Sequence, residues 1–152
     1  MEQKVKHQNN GNCAKCKELF DKFPDFNRVL RSWFVMFQAK HPEAHISCAG
    51  RGFTEQEASL SGGMSRATYG KSAHNYGCAI DTFVILPQKD LYDKDWYEKI
   101  LKAELPYHLN WYGAAGAPYY ERPHIELRNW KELLARKEIA LVEPDPRKAN
   151  IA

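Results

Sequence analysis

Two histidines and two carboxylates in this chain are spaced as a hydrolytic metal centre would need them. His74 and Asp81 stand seven residues apart, and His124 follows much later with Glu121 three positions ahead of it. A catalytic zinc takes three protein ligands of these types, keeps a fourth position for water, and works beside a base. His74, Asp81 and His124 are therefore the candidate ligands for Zn2+. The chemistry expected of them is hydrolysis by metal-activated water.

Asp81 is the least ordinary of these residues. It interrupts the apolar run of residues 78–86, where a carboxylate is costly unless paired or metal-bound. Ala79 shares its strand face and leaves room for an ion. His74 precedes that strand on a loop, and His124 opens another strand; neighbouring strands lie ~4.8 Å apart, so a shared metal is geometrically easy. Glu121, held off by the stiff Pro123, is favoured as general base. Glu126 lies on the same strand face as His124 and competes for that role, or accepts the free N–H of a ligand histidine. The HExxH pattern of helical zinc peptidases is absent. His7 and His41 are expected at the surface, and His108 in the core or beside the ligands.

The elements that must position these side chains are short. Phe26, Val29, Leu30, Trp33, Phe34 and Phe37 repeat with helical spacing, and that helix should end near Lys40, before Pro42. Residues 45–49 read as a strand closed by Gly50-Arg51-Gly52. Thr54 and Glu57 form a capping-box pattern for a helix starting at Glu55 and stopping by Gly62-Gly63. Residues 64–77 read as a long surface loop carrying Ser72 and His74. A helix over residues 94–101 follows, then strands over 108–111 and 124–127 separated by a Gly/Ala-rich loop with two tyrosines. Asn129 and Glu132 mark the start of a last helix. Helices and short strands without strict βαβ alternation imply an α+β fold with a small, mostly antiparallel sheet flanked by helices.

The 152 residues, 43% hydrophobic, suit one domain with one core, with residues 1–12 and 144–152 expected to be poorly ordered. A net charge of +3 is far below that of a nucleic-acid binder. The polar first ten residues contain no signal-like apolar stretch, and no run approaches the ~20 apolar residues of a membrane span. Cytoplasmic synthesis, no stable membrane association and a monomer are expected. Of the four cysteines, Cys13 and Cys16 form a CxxC, a pattern shared by zinc half-sites and redox pairs. Cys48 and Cys78 stand alone in apolar contexts. Buried structural thiols are the favoured reading of all four over a second metal site.

The string Ser72-x-His74-x-x-Gly77-x-Ala79-x-Asp81 with Glu121-x-x-His124 resembles the D-alanyl-D-alanine carboxypeptidase and L-alanyl-D-glutamate endopeptidase family of zinc peptidases, which includes phage endolysins and shares its fold with the hedgehog domain. Gly50-Arg51 with Gln56, Trp111-Tyr112-Gly113, and His124-Ile125-Glu126-Leu127 are similar to further segments of that family. The resemblance implies His74, Asp81 and His124 as zinc ligands, Glu121 as base, and Arg51 as the cation facing the carbonyl that becomes an oxyanion. It also implies substrate contacts from Ser72, Gln56, Trp111 and Tyr112. Gly52 stands where the family more often has serine, and Tyr112 where it has glycine. The expected activity is that of an endolysin-type L-alanyl-D-glutamate endopeptidase. Such an enzyme would act on the peptidoglycan stem peptide, reaching the bacterial cell wall from the cytoplasm through a phage-type membrane hole during host lysis. A D-alanyl-D-alanine dipeptidase or carboxypeptidase and a non-catalytic metal-containing binding module are the alternatives.

Overall fold

The computed structural model describes residues 5–65, 67–114 and 121–148. Helices α1 (Ala14–Asp21) and α2 (Arg28–Lys40) lead into strand β1 (Ala44–Ala49) and helix α3 (Phe53–Ser61). A single 3-10 turn, Ala73–Tyr76, delivers the chain into β2 (Ala79–Val84). Helix α4 (Lys94–Trp96) widens into a π turn, Tyr97–Leu101, and tightens again over Lys102–Glu104. Strands β3 (Leu109–Trp111) and β4 (His124–Leu127) and helix α5 (Trp130–Ala135) complete the fold before a last turn, Pro146–Lys148. The four strands form one antiparallel sheet in the order β1-β2-β4-β3.

Strand alternation gives this sheet two different faces. Ile46, Ile80, Val84, Leu109, Ile125 and Leu127 point to one side and are buried. With Phe20, Leu30, Phe34 and Phe37 from the first two helices they make the core. His45, Cys48, Asp81, Phe83, His124 and Glu126 point to the other side. His45 and Cys48 share that face although three residues apart, because the β1–β2 register shifts between Ile46 and Cys48.

Local sequence signals place most elements well. Helix α2 ends at Lys40, and Asn27 caps its start by accepting from the Leu30 N–H at 3.0 Å. Val29, assigned to its apolar face, is instead half exposed, since the face turns on Leu30, Phe34 and Phe37. Helix α3 begins two residues before the expected start. Gly52 is its N-cap, and the Phe53 N–H donates to the Glu143 carboxylate at 2.8 Å. A Cβ at position 52 would lie 1.8 Å from that carboxylate oxygen, so a side chain there requires Glu143 to move. Asn129 precedes α5 but makes no side-chain cap bond.

Residues 64–77 are not a surface loop throughout. Tyr69, Ala73, His74 and Asn75 are buried, and Gly77, at φ +65°, turns the chain into β2 with its Cα backed against Phe26. His7, Asp145 and Arg147 make tertiary contacts within the segments expected to be poorly ordered. The His7 ring packs edge-on against Phe83, while Asp145 is buried and Arg147 donates to the Tyr69 carbonyl at 2.9 Å. Among the described residues, no helix is long and apolar enough to cross a membrane.

Candidate metal centre and catalytic cleft

Strand register brings the first two candidate ligands together. Asp81 on β2 stands directly opposite His124 on β4. His74 arrives from the 3-10 turn, which Ser72 caps by accepting the His74 N–H at 3.3 Å; the Arg51 N–H holds the same turn through the His74 carbonyl at 2.9 Å. His74 Nε2 and His124 Nδ1 both face Asp81 Oδ1, at 3.2 and 3.4 Å, and the two rings are 5.0 Å apart. With zinc bonds of about 2.0–2.2 Å to nitrogen and oxygen, the N···O edge of a tetrahedron is about 3.4 Å. The two N···O distances match that edge, and among the described residues the donors of Cys48, His74 and Asp81 lie within 4.8 Å of one another.

Each ligand is held from behind. The Nε2–H of His124 donates to Glu126 Oε1 at 2.8 Å, and Trp130 Nε1 donates to Glu126 Oε2 at 2.8 Å. That leaves Nδ1 of His124 aimed at Asp81. Behind His74, Cys48 Sγ lies 3.8 Å from Nδ1. Cys48 is close enough to join His74 and Asp81 around an ion. Its hydrogen, however, already points to the Gly50 carbonyl at 3.3 Å. We read Cys48 as a backing residue for His74.

The charges of the cluster depend strongly on one another. Burial would raise the Asp81 pKa, but the neighbouring His74 and His124 outweigh it and hold the carboxyl well below its usual range. Burial also works against charge on His124, yet hydrogen bonds and attraction from Asp81 and Glu126 raise it to about 9. His74, fully enclosed, is lowered by burial and stays neutral. Without a metal, a proton on His124 therefore balances the carboxylates.

The cluster forms the floor of a cleft of about 1080 Å³, lined also by Arg51, Ser72, Tyr92, Tyr112, Glu121 and Pro123. Arg51 donates to Asp81 Oδ2 at 3.1 Å and to Gln56 Oε1 at 3.2 Å. The segment carrying Glu121 is fixed at its end, because the Pro123 carbonyl accepts from Thr82 N at 2.8 Å and Thr82 Oγ1 at 2.9 Å. Trp111 Nε1 donates to the Arg122 carbonyl at 2.7 Å.

Of the four expected substrate contacts, the structure brings Ser72 and Tyr112 to the cleft. Gln56 is completely buried, its amide shared among Arg51, Asn75, Ser65 and the Ala67 carbonyl. It can act on a substrate only by holding Arg51. Trp111 stacks on Tyr97 and braces the segment before β4 instead of facing the cleft. In the Gly/Ala-rich loop, residues 115–120 lie outside the described residues. His41 is partly buried and pairs with Glu104, whereas His108 is exposed.

The architecture is the α+β class with a small antiparallel sheet flanked by helices. Within that class, the chain is similar in structure to the Serratia marcescens L-Ala D-Glu endopeptidase ChiX. The TM-score is 0.59 over 78% of this chain and 90% of that one, at 17% sequence identity. The sequence matches no family model and no curated protein. A likeness at this identity concerns the fold, so the chemistry must come from the side chains themselves.

Proposed function

We propose that this protein is a zinc-dependent peptidoglycan peptidase, an endolysin-type L-alanyl-D-glutamate endopeptidase. The observation that carries the reading is the convergence of His74 Nε2 and His124 Nδ1 on one oxygen of Asp81, at 3.2 and 3.4 Å, on the floor of a cleft that also holds Glu121 and Arg51. Three ligands, an open side and a carboxylate outside the ligand set are what metal-assisted hydrolysis needs. A closed structural site would use a fourth protein ligand, which speaks against a pure binding module.

Zinc held by the three ligands would supply a Lewis acid for water and for the peptide carbonyl. Glu121 would take the proton of the attacking water and pass it to the leaving amine. Arg51, fixed by Asp81 and Gln56, would set a positive charge against the oxygen on which negative charge develops. Glu126 is poorly suited to be the base, since both its oxygens accept from His124 and Trp130.

The volume of the cleft, about 1080 Å³, favours a peptide still attached to glycan over a free dipeptide, which needs a closed pocket reading both termini. Purified sacculi should release fragments with new L-alanine carboxyl and D-glutamate amino ends, identified by mass, and chelator should abolish the release. Cleavage of free D-alanyl-D-alanine with intact sacculi untouched would instead favour the dipeptidase reading, with action in the cytoplasm.

A further inference from the structure

A second cluster of metal-ligating side chains lies on the same sheet face, beyond Phe83. His7, Cys13, Cys16 and His45 each offer one donor atom, and the four donors lie within 4.8 Å of one another. The two cysteines are the CxxC pair at the start of α1, Cys13 as its N-cap; His7 lies six residues before Cys13, and His45 comes from β1. Cys13, Cys16 and His45 are buried, with His7 closing the outer side.

The distances are those of ligands around a common ion. His7 Nδ1 is 3.5 Å from both sulfurs, and His45 Nδ1 is 3.6 Å from Cys16 Sγ. Zinc–sulfur bonds of about 2.3 Å and zinc–nitrogen bonds of about 2.0–2.1 Å at the tetrahedral angle put sulfur and nitrogen about 3.6 Å apart. Single contacts of this length are also those of S–H···N hydrogen bonds; the convergence of four donor atoms within 4.8 Å is what points to a shared ion.

The groups around the donors also point inward. His45 Nε2–H donates to Asn9 Oδ1 at 2.6 Å, and Asn9 is itself held by donating to the Ile85 carbonyl at 2.9 Å. This fixes the ring with the Nδ1 lone pair toward the sulfurs, the usual arrangement behind a ligand histidine. Cys16 Sγ accepts the Ile46 N–H at 3.3 Å and Gln38 Nε2–H at 3.4 Å. These two N–H donors only partly offset the burial that pushes the Cys16 thiol up to about 12, so a thiolate here needs a bound cation.

We infer that His7, Cys13, Cys16 and His45 form a structural zinc site. Binding releases one proton from each thiol, and two thiolates with one Zn2+ leave the buried site neutral. Four protein ligands leave no position for water, so this zinc takes no part in hydrolysis. It ties the N-terminal segment and α1 to β1, an outer strand of the sheet. The Ile46 N–H and the Ala44 carbonyl on the free edge of β1 are satisfied by Cys16 and Gln38, so the site also closes an edge otherwise open to pairing.

The test uses the full chain, purified in reductant without a metal-binding tag, and is independent of the catalytic reading. Metal analysis should find two zinc ions per chain, falling to one in His74→Ala and to one in Cys13→Ser/Cys16→Ser. Exchange with Co2+ should give a sulfur-to-cobalt charge-transfer band that persists in His74→Ala and Cys48→Ser and vanishes in Cys13→Ser/Cys16→Ser. If the double variant does not fold, His7→Ala, altered only on the outer side, should lower zinc retention against a chelator. In wild type, blocking the thiols with an organomercurial should release one zinc per two sulfurs. A cobalt-loaded wild type with no charge-transfer band, a band lost only with Cys48, or a Cys13–Cys16 disulfide in the isolated protein would each overturn the site.

Discussion

Replacing Glu126 with glutamine separates the role of this residue from that of Glu121. In the structure both Glu126 oxygens accept 2.8 Å hydrogen bonds from N–H donors, one on the candidate ligand His124 and one on Trp130. Glutamine keeps one acceptor oxygen and turns its NH2 toward the other N–H, so one charge-assisted hydrogen bond is lost and the negative charge behind His124 disappears. Such a bond is worth about 1.5–3 kcal/mol, which converts at about 1.4 kcal/mol per decade to a loss of about 10- to 150-fold in zinc affinity. The range agrees with the about 10- to 100-fold seen when partners behind a metal-bound histidine are removed. Competition with a chromogenic chelator measures the affinity, and turnover of sacculi at saturating zinc measures the chemistry. Glu126→Gln should bind zinc weakly yet recover turnover to within a few-fold when saturated. Glu121→Gln should bind zinc normally and lose about 10²- to 10⁴-fold in turnover. A zinc-saturated Glu126→Gln that is dead, beside a nearly wild-type Glu121→Gln, would refute the assignment of base and backing residue.

Arg51→Ala should fold and retain zinc while losing turnover by about 10²- to 10³-fold, as removal of an oxyanion partner does. A loss confined to KM would make Arg51 a substrate anchor. The metal-free protein should show a pH dependence set by His124. Its pKa of about 9 in the fold, against 6.5 unperturbed, means that its stabilising contribution is fully present below pH 6.5 and is lost as pH rises through 9. Thermal melts of chelator-treated protein should therefore fall across that window, and His124→Asn should lack this slope.

What could be read from the sequence is what neighbouring residues enforce on one another. The aromatic stripe of α2 and the limits of the main strands follow from side-chain period and from glycine and proline. Asp81 stood out because a carboxylate in an apolar strand needs a partner wherever that strand lies. Glu121 and His124 could be linked because only two residues, one of them the stiff Pro123, separate them. The zinc-peptidase resemblance rested on the same local strings, and the sheet places those residues in one cleft.

Tertiary structure decided the rest, because the deciding contacts join residues whose separation along the chain carries no periodic signal. The CxxC showed half of the second cluster, but His7 and His45 looked unremarkable until the packing of α1 against β1 brought them to it. Gln56 reads as a cleft residue from its motif, yet helix α3 points it inward, where its amide holds Arg51. The α3 start moved to Gly52 because Glu143, ninety residues downstream from Phe53, supplies the cap. Glu121 and Glu126 are equivalent carboxylates on paper. Only strand register and the indole of Trp130 occupy both oxygens of one and leave the other at the cleft.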